Sequence, residues 1–256
     1  MYFGLSEDQI FFQDNVKKFL EDQLTLDTVK KITEGEDDLA KEELHKGLIN
    51  LGINNILVPE EYGGLGLDLL FATAVSQSLG EGVATLPFLG PYIVAPTAIK
   101  YGASDNQKEK LFADMSQNLI NFGIGFSEYF GSRDSSGLNI SDNKVTGKTL
   151  FVLDTDFASH VMIADNKGQI GIVSLDSNDI EMIDLTTVDK TRTYKEMHFS
   201  DTPIEILDKT KSSSFAIEMA LDAGRIIAAA DSLGASQAMI NKAVEYSKER
   251  KQFNRV

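Results

Sequence analysis

The stretch HVMIADNKGQIGIVSLD (His160–Asp176) decides the fold. Two short runs of β-branched and large apolar residues flank Asp165, Asn166, Lys167 and Gly168, a cluster of turn formers. That texture marks two short strands joined by a tight turn. It continues downstream, where DIEMIDL (Asp179–Leu185) and YKEMHFSD (Tyr194–Asp201) are further short β-rich runs bounded by turn residues. No helical period interrupts residues 121–208, so a doubly wound parallel sheet is not expected. The spacing predicts a small antiparallel barrel or sandwich. The GIG of FGIGFSE (Phe122–Glu128) lacks the third glycine and the strand–turn–helix setting of a dinucleotide fingerprint.

Both flanks of this β zone read as helical. Upstream, Ser6 stands three residues before Gln9, the spacing of a capping box. Phe12, Val16, Phe19 and Leu20 follow at helical intervals, and Leu44, Leu48 and Leu51 repeat them. ILVPEEYGGLGLD (Ile56–Asp68) breaks the period with Pro59, Gly63, Gly64 and Gly66 and is expected to be a loop. Its glycines serve either a compact helix–helix connection or a place where backbone approaches a ligand. Residues 69–81 and 96–101 look helical, and a polar helix follows with Ser104 and Asp105 as caps. Downstream of about residue 212 one long helix runs to the end. Ile226, Ala230, Leu233, Ile240 and Val244 fall on one face, with Ala228, Ala229, Gly234, Ala235 and Ser236 as small residues. Such a helix needs neighbours on several sides, and within the chain only the N-terminal helices can serve. The expected fold is therefore α+β: an α-helical domain at 1–120, a β domain at 121–208, and at 209–256 the start of an incomplete helical domain.

Composition excludes several functions. A net charge of −15 argues against a nucleic-acid partner. Absence of cysteine rules out disulfides and thiolate metal sites and suits a cytoplasmic protein. The sequence shows neither an 18-residue apolar run nor a signal-peptide pattern. His45, His160 and His198 are not at metal-ligand spacing, so a structural role is expected for each. No nucleophile elbow or zinc-protease motif is present. In FGIGFSEYFGSRDSSG (Phe122–Gly137), backbone N–H groups with Ser127, Ser132 and Arg133 offer a hold for a phosphate or carbonyl oxygen, or simply form a surface loop. Lys248, Arg250 and Lys251 suit a helix C-terminus through the macrodipole alone.

Taken in order, these segments resemble the acyl-CoA dehydrogenase family of flavoproteins. LSEDQ (Leu5–Gln9) is similar to its opening helix, and ILVPEEYGGLGL is close to its loop almost letter for letter. YGASDNQKEKLF (Tyr101–Phe112) resembles its FG-x-x-x-Q-K-x-x-x-L helix, and GFSEYFGSRDSSG (Gly125–Gly137) stands where the family has A-x-TEP-x-x-GSD. VTGKTLFVLDTDFASHVMIA (Val145–Ala164) stands at NG-x-K-x-x-I-T-N-x-x-x-A, and EMHFSDTPIEIL (Glu196–Leu207) at F-x-x-V-x-V-P. RIIAAADSLGASQAMINKAVEYSKERKQF (Arg225–Phe253) matches the first long helix of the C-terminal domain. The family continues with further helices, so the sequence is expected to be truncated or an unusual short form.

The resemblance implies FAD-dependent α,β-dehydrogenation of an acyl-CoA thioester. A carboxylate removes the α-proton while a hydride passes to flavin N5, and electron-transfer flavoprotein accepts the electrons. It implies a homo- or hetero-oligomer active in fatty acid metabolism. Arg250 and Phe253 occupy the R-x-x-F pair that reaches the flavin pyrophosphate, usually across a subunit boundary. Ser127 replaces the Thr that bonds the flavin, Phe126 lines the flavin or substrate face, and Phe151 stands where an aromatic stacks near the flavin. Asp222 and Arg225, with Ser132 and Arg133, are the implied substrate contacts. The base is expected in a later segment. Family members that carry it just before Arg225 would place it at Gly224, which has no side chain. Other departures are Tyr129 for Pro, Arg133 for Ser, Leu153 for a flavin-contacting Thr and Asn254 for Gly. They leave open a non-catalytic partner subunit, or a related flavoenzyme such as an acyl-CoA oxidase or nitroalkane oxidase.

Overall fold

The computed structural model describes residues 4–133 and 135–253. Six helices come first: α1 (Glu7–Gln23), α2 (Leu26–Glu34), α3 (Asp38–Asn50), α4 (Leu69–Glu81), α5 (Ala95–Gly102) and α6 (Asp105–Ser116). Their starts are where the polar caps predict. Ser6 and Gln9 form a reciprocal capping box, as do Ser104 and Gln107, while Asp37 and Asp68 accept from Ala40 and Phe71 N–H. Each cap satisfies a backbone donor that the helix itself cannot. Val16, Leu20, Leu48, Ile53 and Val75 are buried together in the core beneath them.

The Ile56–Asp68 loop is shaped by its own backbone. Leu65, Gly66 and Leu67 donate their N–H groups to the carbonyls of Asn55, Val58 and Ile56 at 2.8–2.9 Å. A Cβ on Gly64 would lie 2.0 Å from the Val58 carbonyl oxygen, so only glycine permits this fold-back. The glycine cluster is thus explained by the compact connection.

The middle of the chain is one sheet of β1 (Phe122–Gly125), β2 (Gly137–Ser141), β3 (Lys144–Leu153), β4 (His160–Ala164), β5 (Ile170–Ser174), β6 (Ile180–Asp184), β7 (Tyr194–Pro203) and β8 (Glu205–Ile206). The order is β6-β7-β3-β1-β4-β5-β8, with β2 also on β3. β2 and β1 share one edge of the long β3, β2 along Lys144–Lys148 and β1 at Leu153. Two expectations need correction. The sheet is mixed, because β1 and β4 run parallel, and its path does not close into a barrel. The parallel pair arises because β1 enters from the helical part and joins β4 rather than a hairpin neighbour. β4 and β5 are buried along nearly their whole length, which explains their unbroken apolar runs.

α7 (Phe215–Glu249) is a single 35-residue helix. Its buried face is Ala216, Ile217, Ala220, Ala223, Gly224, Ile227, Ala230 and Gly234, packed on α4 and α5. Of the stripe expected from the sequence only Ala230 is buried; Ile226, Leu233, Ile240 and Val244 are exposed. Close backbone approach is the reason. A Cβ on Gly80 would lie 2.0 Å from Asp231 O, and one on Gly234 would lie 1.9 Å from Gln77 O. Contact this tight selects the small face and turns the large residues outward.

Candidate functional site

The turn that follows β1 organises the site. Residues Ser127–Phe130 form one 3₁₀ turn. Glu128 is 1% exposed, and its carboxylate is the turn's anchor. It accepts from Ser127 Oγ (3.2 Å), Ser136 Oγ (2.8 Å) and Leu150 N–H (3.3 Å). A buried carboxylate persists only with such partners. The Ser127 hydroxyl also reaches the Leu150 carbonyl, so its single proton is shared between the two acceptors and ties the turn to β3.

Above this anchor lies a cavity of about 150 Å³ lined by Ser127, Glu128, Phe130, Gly131, Arg133, Leu150 and Phe151. Phe151 is at φ +54, a costly conformation for an aromatic residue. It sits where the β3–β7 register shifts between Thr149 and Val152. The bulge turns its ring, 46% exposed, toward this cavity. Phe126 is buried beneath the turn and does not line the cavity. Ser132 is exposed beside it, and Arg133 donates its N–H to Ser136 Oγ at 2.9 Å.

Two contacts join this turn to α7. Tyr129 Oη donates to Glu218 Oε1 at 3.0 Å, and the Arg225 guanidinium lies 5.8 Å from the centre of the Phe130 ring. Arg225 also pairs with Asp222 one turn earlier. Asp222 in turn lines a second cavity of about 230 Å³ with Leu57, Pro96, Lys100, Tyr101 and Ile226 among its walls. Ser127, Phe151, Arg133, Arg225 and Asp222 therefore share one continuous strip, with Phe130 at its middle.

Arg250 and Phe253 lie apart from that strip. At a rise of about 1.5 Å per residue, Arg250 is about 38 Å along the helix from Arg225. Both are exposed, Phe253 at 97%, and the Arg250 guanidinium rests 5.9 Å from the Tyr246 ring. Gly224 is buried, and a Cβ there would lie 3.1 Å from Val94 Cγ2. Leu153 packs into the apolar core and offers no donor. Asn254 lies outside the described residues.

A buried polar junction behind the strip was not legible in the sequence. Asp154, 3% exposed, accepts from Gly90 N–H at 2.7 Å, which holds a π-turn over Gly90–Val94. Arg192 donates to Leu86 O at 2.9 Å and approaches Asp231 (3.5 Å) and Asp154 (4.0 Å). It thereby ties the helical part, the sheet and α7 together. Burial pushes the Asp154 carboxyl up to about 6, against the pull of Arg192 and the Gly90 N–H. Tyr92 is pushed by burial up to about 12, and its hydroxyl bonds His45 Nε2 at 3.0 Å. His45 is driven by burial down to about 4 and stacks on Phe157. His160 is bonded through Nδ1 to Ser159 Oγ, and His198, inside β7, to Glu196. No group of three or more His, Cys, Asp or Glu among the described residues is arranged to hold a metal. No helix among them is long and apolar enough to cross a membrane.

Comparison with known proteins gives this arrangement a context. Residues 6–118 match the family described as acyl-CoA dehydrogenase, N-terminal domain. The 3-(aryl)acrylate reductase of Clostridium sporogenes is 26% identical over 83% of the chain, which spans 62% of that protein. The short-chain specific acyl-CoA dehydrogenase of Megasphaera elsdenii is 28% identical over the whole chain, which spans 72% of it. The fold of butyryl-CoA dehydrogenase from Megasphaera elsdenii superposes with a TM-score of 0.83 at 23% identity, over all of this chain and 72% of that one. Helical part, mixed sheet and long helix are thus the acyl-CoA dehydrogenase arrangement.

Proposed function

Residues 6–118 make this chain a relative of the acyl-CoA dehydrogenases, and on that footing we propose that it carries the flavin and thioester contacts of an FAD-dependent acyl-CoA dehydrogenase. One observation carries the reading. Phe130 lines the Ser127–Phe151 cavity and also meets Arg225 of α7. Ser127 and Phe151, expected at the cofactor, consequently lie beside Arg225 and Asp222, expected at the substrate.

The cavity, about 150 Å³, suits one edge of a flavin ring system. Phe151 offers a half-exposed ring, held outward by strained backbone, on which a flat heterocycle can stack. Ser127 offers a hydroxyl at the cavity wall. When bound, FAD supplies the hydride acceptor. The protein's part is to align and enclose. Phe130 and Leu150 form the apolar part of the wall, while Arg225 and Asp222 present a charged pair to the polar portion of the thioester. Ser132 and Arg133 flank the same approach. Arg250 and Phe253 serve the diphosphate of a flavin held by another copy, since about 38 Å of helix separates Arg250 from Arg225. Glu128 is not the base, because both of its oxygens already accept hydrogen bonds. The base that removes the α-proton is not among the residues of the strip. The electron acceptor is an electron-transfer flavoprotein, in the cytoplasm, and the working unit is an oligomer.

A second reading, a non-catalytic partner subunit, is favoured by Gly224. A Cβ there would lie 3.1 Å from Val94 Cγ2, tighter than ordinary contact, and glycine itself brings no carboxylate to that position. One titration separates the two. The purified full-length protein, incubated with FAD, should show a flavin absorption band, and butyryl-CoA without oxygen should bleach it. Colour without bleaching supports the partner subunit, and no retained flavin refutes both.

A further inference from the structure

We propose that Tyr129 and Phe130 gate the passage between the Ser127 cavity and α7, with the Tyr129–Glu218 hydrogen bond as the latch. The inference rests on the function above only for what passes the gate. Phe130 is the wall itself, with the cavity on one side and the Arg225 guanidinium on the other. Glu218 and Arg225 are seven residues apart, so they lie on one stripe of the helix and hold consecutive residues of the turn. Glu218 Oε1 is itself positioned by a hydrogen bond from Ser214 Oγ at 2.8 Å.

The turn is built to pivot. Its inner residue, Glu128, is buried and held by three donors. Its outer boundary, Gly131, sits at φ +118 with nothing within 4 Å of a Cβ position, and residues 131–133 are exposed. Between the anchored Glu128 and the exposed residues 131–133, the Tyr129 ring packs on the apolar core with its hydroxyl held by Glu218, and the exposed Phe130 ring is held by its cation–π contact with Arg225. A thioester that engages Arg225 competes with Phe130 for the guanidinium and so favours the open state.

The chain contains no cysteine, so Ser127→Cys places a single thiol at the cavity wall. Its labelling rate with DTNB reads the opening of the gate without any ligand, so a failure to bind FAD or butyryl-CoA does not touch this test. Tyr129→Phe and Glu218→Ala should each raise the rate about tenfold, and the double variant no further, since both remove one contact. Phe130→Leu should give a smaller rise. If Ser127→Cys fails to fold, Leu150→Cys lines the same cavity. A buried control thiol, Val161→Cys, must stay slow throughout. Rates within about twofold of the parent overturn the latch, as does a parallel rise at Val161→Cys, which means global unfolding.

Discussion

Replacing Asp154 by Asn should stabilise the protein near neutral pH and lose that benefit in mild acid. Burial raises this carboxyl from 3.8 to about 6 in the folded chain. A folded-state value above the unfolded one means that protonation favours folding. The stability it contributes is fully present below about 3.8 and is lost as pH rises through about 6. Each pH unit of that gap corresponds to about 1.4 kcal/mol, so the ionised carboxylate costs about 3 kcal/mol at pH near 7.5. Asparagine keeps an acceptor for the Gly90 N–H, and Arg192 keeps Leu86 O and Asp231. The amide leaves its own donors to satisfy, which offsets about 1 kcal/mol or more of the gain. A net stabilisation of about 1–2 kcal/mol is therefore expected at pH near 7.5. Between about pH 5 and 7.5 the advantage should grow by about 1 kcal/mol. Urea unfolding of both proteins at the two pH values, compared at equal slope, measures it. An advantage that is constant across that window, or that shrinks toward neutral pH, refutes the assignment of a destabilising charge to Asp154.

Three other outcomes follow from the packing. Gly234→Val should cost about 3 kcal/mol or more in thermal unfolding, because a Cβ there meets Gln77 O at 1.9 Å and backbone must move. Glu128→Ala strands the Ser136 hydroxyl and the Leu150 N–H, so a loss of about 3 kcal/mol in urea unfolding is expected, together with weaker retention of FAD. Phe151→Gly should relieve about 1 kcal/mol of backbone strain at φ +54 yet lower FAD affinity by about tenfold, read by quenching of flavin fluorescence. If Phe151→Gly weakens both stability and binding, the strain is not stored for the ring's position.

What the sequence made legible was mostly local. Caps at Ser6 and Ser104 and the strand runs from His160 to Ser174 are encoded in neighbours three or four residues apart, and the structure has them there. The parallel pairing of β1 with β4 was not legible, since it joins segments far apart in the chain and leaves no mark on periodicity. The inward face of α7 was misread for a related reason. Apolar period alone favours Ile226, Leu233 and Ile240, whereas the deciding quantity is backbone separation from α4, set by Gly80 and Gly234 together. Of the residues that share the strip, resemblance to the family picks out Ser127, Arg133, Phe151, Asp222 and Arg225. Glu128, Phe130 and Glu218 stood unremarked, though a Glu between a Ser and an aromatic after a buried strand is a signal that an anchored turn can leave.

The site's two halves differ in how they are held, and that difference bears on function. The Ser127–Glu128 half is fixed by a buried carboxylate with donors from the turn itself, the loop before β2, and β3. The Asp222–Arg225 half rides on α7, whose alignment depends on α4 at Gly80 and Gly234 and on Arg192 reaching Asp231. Arg192 arises from the β6–β7 connection and reaches Asp154 beside the π-turn at Gly90. Displacing α7 by even an ångström would separate Arg225 from Phe130 while leaving Ser127 untouched, because nothing holding Ser127 lies on the helix. Arg192→Met should accordingly weaken butyryl-CoA binding while FAD retention stays near the parent's. Equal loss of both would mean that α7 and the turn move as one body, and that the strip joining them is rigid.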